Sequence, residues 1–398
     1  MRALRLKFPL VVYFAGVIAL YVFVCWKVRR LIIAGFPDFA IYYCAGSAVR
    51  QGLGHQLYDP GARFAVQQQF AGAVPQFRGP LPWTHPPFEA LFFAPFSVFS
   101  YVHAYLLWNL FSLVLLAAAL LLLRPYLPEL RNRAGKLWIL ACLAFFPVFF
   151  NLLEGQDAMV LLFVYTLAFV ALRNGHDGWA GAALALGLFK FHLVLPFVLL
   201  LLLQKRWRML YGFVPVSALL VLVSVGLAGT RALTAYPRYV LYWEDLMAGK
   251  DRVPAGMPNL RGLWYVLGTS HISMPPLLAL LSLALLWFVT WRCYSSRPGS
   301  RFELCFSLAL LATVLVSYHV VSYDLVVLLI PVLVITNEML KQKSWRLSTV
   351  LIALGMALLF LAPLELMLSL EYKAFALMGL ALLLWSYGIA REMSPGSA

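Results

Sequence analysis

Acidic residues are scarce. Asp and Glu number 16 in 398 residues, against 31 Lys and Arg, for a formal net charge of +15. Charged residues of either sign make up only 12% of the chain, while 63% is hydrophobic and the mean hydropathy is +0.85. A soluble domain carries roughly 25% charged and about 45–50% apolar residues. So little charge cannot cover a water-soluble protein of this length; the apolar excess needs lipid as its solvent. Cysteine is sparse too. Cys25, Cys44, Cys142, Cys293 and Cys305 form no CxxC pair, so neither a zinc site nor a disulfide framework is signalled. There is no HExxH and no tight His/Asp spacing, which leaves a metal site without support. Tandem repeats and low-complexity tracts are missing as well.

The basic excess is not that of a nucleic-acid binder. It comes in short clusters between apolar runs, such as Lys205-Arg206-Trp207-Arg208 and Lys341-Gln342-Lys343. That is the pattern of the positively charged cytoplasmic loops that orient membrane proteins.

What is present is a series of apolar runs long enough to approach a bilayer's thickness. They cover 8–26, 102–123, 137–153, 157–172, 209–228, 272–291, 302–317, 324–340, 347–368 and 374–390. The first follows Arg2, Arg5 and Lys7. It is longer than an ordinary signal-peptide core and is not followed by a small-x-small cleavage site, so it reads as a retained anchor with a cytoplasmic N-terminus. Two segments are irregular. Residues 86–99 are apolar but short and proline-bounded, and 178–203 is interrupted by Lys190, His192 and Pro196. If 86–99 is re-entrant and 178–203 is a hairpin of two helices with Lys190-Phe191-His192 near its apex, the basic loops 124–136, 204–208, 292–301 and 341–346 all face the cytoplasm. If both irregular segments are ordinary spans, one basic loop faces outward. Either arrangement gives an all-α integral membrane protein, a single polytopic domain over 1–398 with about 12 spans. Both termini are then cytoplasmic, and two long polar loops, 27–85 and 229–271, lie outside.

In the first arrangement one face collects Asp38, Asp59, Gln156, Asp157, Lys190, His192, Asn259, Arg261, His319 and Asp324. Polar and ionisable groups near membrane depth are costly and mark functional sites by default. Asp38 suits proton abstraction from a hydroxyl, but Asp after Pro before an apolar run also suits a helix N-cap. Lys190 suits a phosphate, or a structural ion pair. His192 and His319 fit ligand contact or plain structural hydrogen bonding. Asp324 fits a helix cap, and Gly155-Gln156-Asp157 a simple turn. Tyr42, Tyr43, Tyr58 and Trp83 fit an interfacial belt or stacking on sugar rings.

Taken in order, these segments resemble glycosyltransferase family 87, the polyprenyl-phosphate-mannose-dependent mannosyltransferases of the GT-C superfamily. The resemblance rests on Asp38-Phe39-Ala40-Ile41-Tyr42-Tyr43 with Leu57-Tyr58-Asp59, on His85-Pro86-Pro87-Phe88, and on Gly155-Gln156. It continues through Phe189-Lys190-Phe191-His192 and Ser317-Tyr318-His319 followed by Asp324-Leu325. The chain departs from the family pattern at His85, Phe191 and Tyr318, where Tyr, Pro and Pro are usual. The resemblance implies a GT-C-type helical bundle with an extracytoplasmic active site in a bacterial inner membrane. Asp38 would be the catalytic base. Lys190, His192, His319, Gln156 and Arg261 would hold the donor's phosphate or sugar. Tyr42, Tyr43, Asp59, His85, Asn259 and Asp324 would serve the acceptor or secondary contacts. The implied donor is a polyprenyl-phosphate hexose, the acceptor a lipid or glycan, and neither cofactor nor metal is expected. A transporter or flippase, and a polysaccharide ligase or polymerase, are the competing readings of the same outward-facing polar groups.

Overall fold

The computed structural model describes residues 2–71, 82–249, 254–266, 276–295, 302–342, 346–372 and 374–394. Parts of both expected outer loops (72–81, 250–253 and 267–271), together with 296–301, Lys343 and Lys373, lie outside the described residues. Helices account for all regular structure among the described residues.

Helix α1 (Arg2–Ile33) is about 48 Å long at ~1.5 Å per residue, well beyond the ~30 Å hydrocarbon core. Phe8, Val22 and Trp26 stand exposed along it, as lipid-facing side chains should. A polar segment follows with α2 (Phe39–Arg50) and α3 (Pro60–Ala71). Residues 86–99 form no spanning helix: the turn Pro87–Glu89, the four-residue α4 (Ala90–Phe93) and the turn Phe96–Val98 replace it. Prolines 86, 87 and 95 supply no backbone donor, and they break the run before it lengthens. The chain then crosses in α5 (Tyr101–Leu123) and returns through α6 (Pro128–Ala134), α7 (Leu137–Ala144) and α8 (Phe146–Glu154). Helices α7 and α8 are one apolar run bent by 51° ahead of Pro147. Next come α9 (Ala158–Arg173), α10 (Asp177–Leu186) and α11 (Phe191–Leu203).

The pair α10–α11 meets with a 66° bend around Gly187–Lys190. Neither arm reaches ~30 Å, so the expected two-span hairpin becomes two half-length arms. Their far ends still come together: Arg206 just past α11 pairs with Asp177 at the start of α10, 2.9 Å away. Helix α12 (Leu210–Gly249) then packs backbone to backbone on α10. A Cβ on Gly212 would lie 1.9 Å from the carbonyl oxygen of Gly178, so only glycine permits this approach. The apolar part of α12 ends at Gly229, whose φ of +79° breaks the helix where the second outer loop was expected to begin. Helix resumes beyond it, so the start of that loop is helical rather than irregular.

The remaining helices are α13 (Leu260–Val266), α14 (Pro276–Ser295), α15 (Phe302–Val316), α16 (Leu329–Lys341), α17 (Leu347–Leu358), α18 (Ala362–Leu366) and α19 (Met378–Glu392). The 3-10 turn Ser322–Leu328 and α16 form the buried centre of the bundle. Among the described residues six helices are long and apolar enough to cross a membrane, or nine if each bent pair counts as one span. The sequence count of about 12 is larger because it treats α9 and α15 as full spans, and α10–α11 as two. The protein is a multi-pass, all-helical membrane protein.

Candidate active site

Five separate stretches of chain converge at one end of the bundle. The first is the turn into α2. Asp38 occupies the N-cap position there, yet its side chain caps nothing. Its carboxylate Oδ2 instead accepts a hydrogen bond from Gln156 Nε2 at 2.7 Å, and its backbone N–H donates to Glu154 Oε2 at 3.1 Å.

Gln156 is aimed at Asp38 by the glycine before it. Gly155 ends α8 in the left-handed region at φ +61°, where a side chain is strained. A Cβ there would also press to 2.7 Å from the Cβ of Phe39, the neighbour of Asp38. The Gly-Gln pair thus lets the end of α8 close onto the start of α2. Gln156 is then held on every side: its Oε1 accepts from the Tyr42 hydroxyl at 2.6 Å, and its carbonyl accepts from Trp108 Nε1 at 3.2 Å.

Lys190 stands at the break between α10 and α11. It is buried, and its ammonium lies 2.7 Å from Asp324 Oδ1 and 2.9 Å from Asp157 Oδ1. It also sits 5.1 Å from the centre of the Tyr323 ring. Asp324 does two jobs, because its Oδ2 accepts the backbone N–H of Val321 at 2.9 Å and starts the central 3-10 turn. The ion-pair and helix-start readings of these residues both hold.

His85 is half-buried and its Nδ1 lies 2.8 Å from Glu89 Oε2, a fully buried carboxylate. Ligand atoms of His85, Glu89 and Asp157 fall within 4.8 Å of one another, the spacing a cation would need. At Asp157 that positive charge is already supplied by Lys190. His192 Nδ1 is 3.0 Å from Ser317 Oγ, and the rings of His192 and His319 are 5.9 Å apart.

Asp38, His85, Gln156, Lys190, His192, His319 and Asp324 all line one cavity of about 210 Å³, with Tyr318 and Tyr323. Other residues singled out from the sequence stand behind it. Asn259 is buried, donates to the carbonyl of Ser317 at 2.8 Å and accepts from Gly262 N–H at 2.8 Å. Arg261 donates to the carbonyl of Tyr318 at 3.1 Å and covers the Tyr318 ring at 4.1 Å. Both brace the 317–319 wall. Tyr43 donates to the carbonyl of Phe99 at 2.9 Å and packs against Phe70 and Tyr101, away from the cavity. Asp59 is exposed, and its Oδ1 accepts Gly61 N–H at 2.8 Å in a local turn.

Two of the site's groups have clear electrostatics. Burial pushes the Asp38 carboxyl above the usual carboxylate range, and the Gln156 hydrogen bond works against that shift. Burial pulls His85 down to about 4, so its imidazole is neutral at physiological pH. The site therefore combines a partly desolvated carboxylate, a lysine held by two acids and neutral imidazole, around a space open enough for a small polar group.

The sequence model of glycosyltransferase family 87 matches residues 83–318, more than half of the chain. The chain belongs to glycosyltransferase family 87. It acts on a sugar donor and an acceptor in the membrane. Searches of curated proteins and of solved structures find no match. Of the cavity's lining, His85, Gln156, Lys190 to His192, Val240 and Tyr318 fall inside the family match. Asp38 precedes it, while His319 and Asp324 follow it. Sequence reasoning passed over Glu89, Glu154 and Tyr323 as site residues of this glycosyltransferase. Glu89 carried a usable signal, since it is a lone acid inside an apolar run in a chain with few acids.

Proposed function

We propose that this glycosyltransferase moves a hexose, mannose in the first instance, from a polyprenyl-phosphate donor to a hydroxyl of a lipid or glycan. The transfer is inverting, and Asp38 is the general base. The observation that carries the reading is the position of Asp38. Its carboxylate stands in the wall of the same cavity as Lys190, His192 and His319, and its hydrogen bond goes to Gln156 rather than to a helix end. The chemistry then follows from charge. Asp38 takes the acceptor's hydroxyl proton as that oxygen attacks the anomeric carbon. The bond from that carbon to the phosphate oxygen breaks, and the polyprenyl phosphate leaves with the electron pair. Lys190, His192 and His319 face the developing negative charge. Lys190's positive charge is shared with Asp157 and Asp324, so the two histidines carry more of the donor contact than the lysine does. Gln156 and Tyr42 position the base, while Arg261 and Asn259 hold the histidine-bearing wall. The site works on the extracytoplasmic face of a bacterial inner membrane, with both termini in the cytoplasm.

The test is transfer by purified protein reconstituted with polyprenyl-phosphate [14C]mannose and a membrane-lipid extract. Wild type moves label to a new product, and Asp38→Asn lowers the rate by about 10²–10⁴. Full transfer by a folded Asp38→Asn protein removes the base from Asp38. No transfer by wild type means that the donor or the acceptor is wrong or that the chain does not catalyse this reaction, and binding of the labelled donor separates those cases.

A further inference from the structure

A second cavity lies at the other end of the bundle. Helix α1 and the bent pair α7–α8 run side by side, with Tyr21 of α1 donating to the carbonyl of Ala144 at 3.1 Å. The active-site cavity is beyond their C-terminal ends. The second cavity, of about 290 Å³, lies toward their N-terminal ends and is lined by Phe14, Trp138, Cys142, Thr336, Met356 and Phe360 among others. Its walls are almost wholly apolar, and Thr336's hydroxyl is occupied by the Val332 carbonyl at 2.6 Å. A space of that size and lining suits a hydrocarbon chain and not a sugar.

Basic residues outnumber acidic ones around it, and the two nearby acids are already paired, Glu129 with Arg133 at 3.0 Å and Glu338 with Lys341 at 2.6 Å. Arg131 adjoins the lining residue Leu130, Lys136 precedes Trp138 by two positions, and Lys7 lies two helical turns before Phe14. Arg131 and Lys136 are exposed and have no carboxylate partner among the described residues. The short helix that carries Arg131 is fixed in place, because Asn337 Oδ1 accepts the N–H groups of Glu129 at 2.9 Å and Leu130 at 3.1 Å. A rigid basic rim over an apolar slot matches a molecule with an anionic head and an apolar tail. Basic pockets between transmembrane helices take anionic lipid head groups in this way.

We infer that the slot between α1, α7, α16 and α17 binds an anionic phospholipid, with one acyl chain in the cavity and the phosphate on Arg131 and Lys136. The inference does not depend on the sugar donor, since the two cavities are at opposite ends of the same helices.

Native mass spectrometry of the full-length protein in detergent, titrated with phosphatidylglycerol or phosphatidylcholine of matched chains, tests it. Phosphatidylglycerol is expected to bind at least tenfold more tightly. Arg131→Gln with Lys136→Gln should remove most of that preference, roughly tenfold. Ala353→Phe, which fills the slot, should weaken both lipids. An unfolding midpoint in detergent unchanged from wild type checks that the double variant and the Ala353→Phe protein are folded. Equal binding of the two lipids, or a preference that survives the Arg131/Lys136 double variant, overturns the head-group assignment. Undiminished binding by a folded Ala353→Phe protein overturns the acyl-chain site.

Discussion

Asp38 and Gln156 are 118 positions apart and meet at 2.7 Å, and the function proposed for Asp38 depends on that contact. Because the base acts as a carboxylate and burial raises its pKa, activity should climb with pH through an acid limb lying above the ordinary value of ~3.9. It should level off once Asp38 is ionised. Gln156→Leu removes the hydrogen bond that favours the charged form. The limb should then move further up, by roughly one unit, at a cost of about 1.4 kcal/mol. A pH–rate profile in detergent checks this; a limb that stays put separates Gln156 from the base. His85, pulled to about 4, is neutral above pH ~5 and contributes no step there. At this scale much of the site was legible: an acid, a lysine and two histidines in a chain this poor in charge are conspicuous. Their partners were not. Nothing in the local pattern ties Lys190 to residues 33 positions before it and 134 after it, because that pairing is made by packing alone.

Among the elements, the α10–α11 break carries the most consequence. Lys190 stands at that break and from there reaches two carboxylates from inside an apolar run. Lys190→Met should leave Asp157 and Asp324 buried without their counter-charge and cost about 3–5 kcal/mol. Thermal unfolding in detergent measures it, and adding Asp157→Asn and Asp324→Asn should recover part of the loss. An unshifted midpoint would mean that the pair is not a structural anchor. The α10–α12 contact makes a separate prediction. Gly212→Leu has no space beside the Gly178 carbonyl and should destabilise by about 1–3 kcal/mol, whereas Gly226→Leu, with open space around it, should change little in the same unfolding assay. The apolar runs announced where helices would form. They did not announce where helices would break, since 86–99 and 178–203 are nearly as apolar as true spans, and the stops are set by proline, by Lys190 and by Gly229.

For the whole molecule, the parallel course of α1 and α7–α8 puts the Asp38 loop and the basic 124–136 loop at opposite ends. Cysteines placed at exposed His55 and Asn132 should therefore react with an impermeant maleimide from opposite sides of a sealed vesicle. Orientation follows the basic loops, so His55→Cys should label from outside and Asn132→Cys only after lysis. Labelling of both from one side would overturn the arrangement. The fold class was readable from composition, because lipid leaves helices as the economical way to satisfy backbone hydrogen bonds. The number of crossings was not, since length and apolarity alone do not distinguish a span from a half-length arm.

The boundaries of the family match bear on how the chain can be cut. A fragment trimmed to 83–318 would keep Gln156 but lose Asp38, and keep Lys190 and Asp157 but lose Asp324. Such a piece would hold a lysine stripped of half its counter-charge and an amide with nothing to orient. The recognisable stretch therefore does not hold the whole cavity wall; the flanks on both sides supply Asp38 and Asp324.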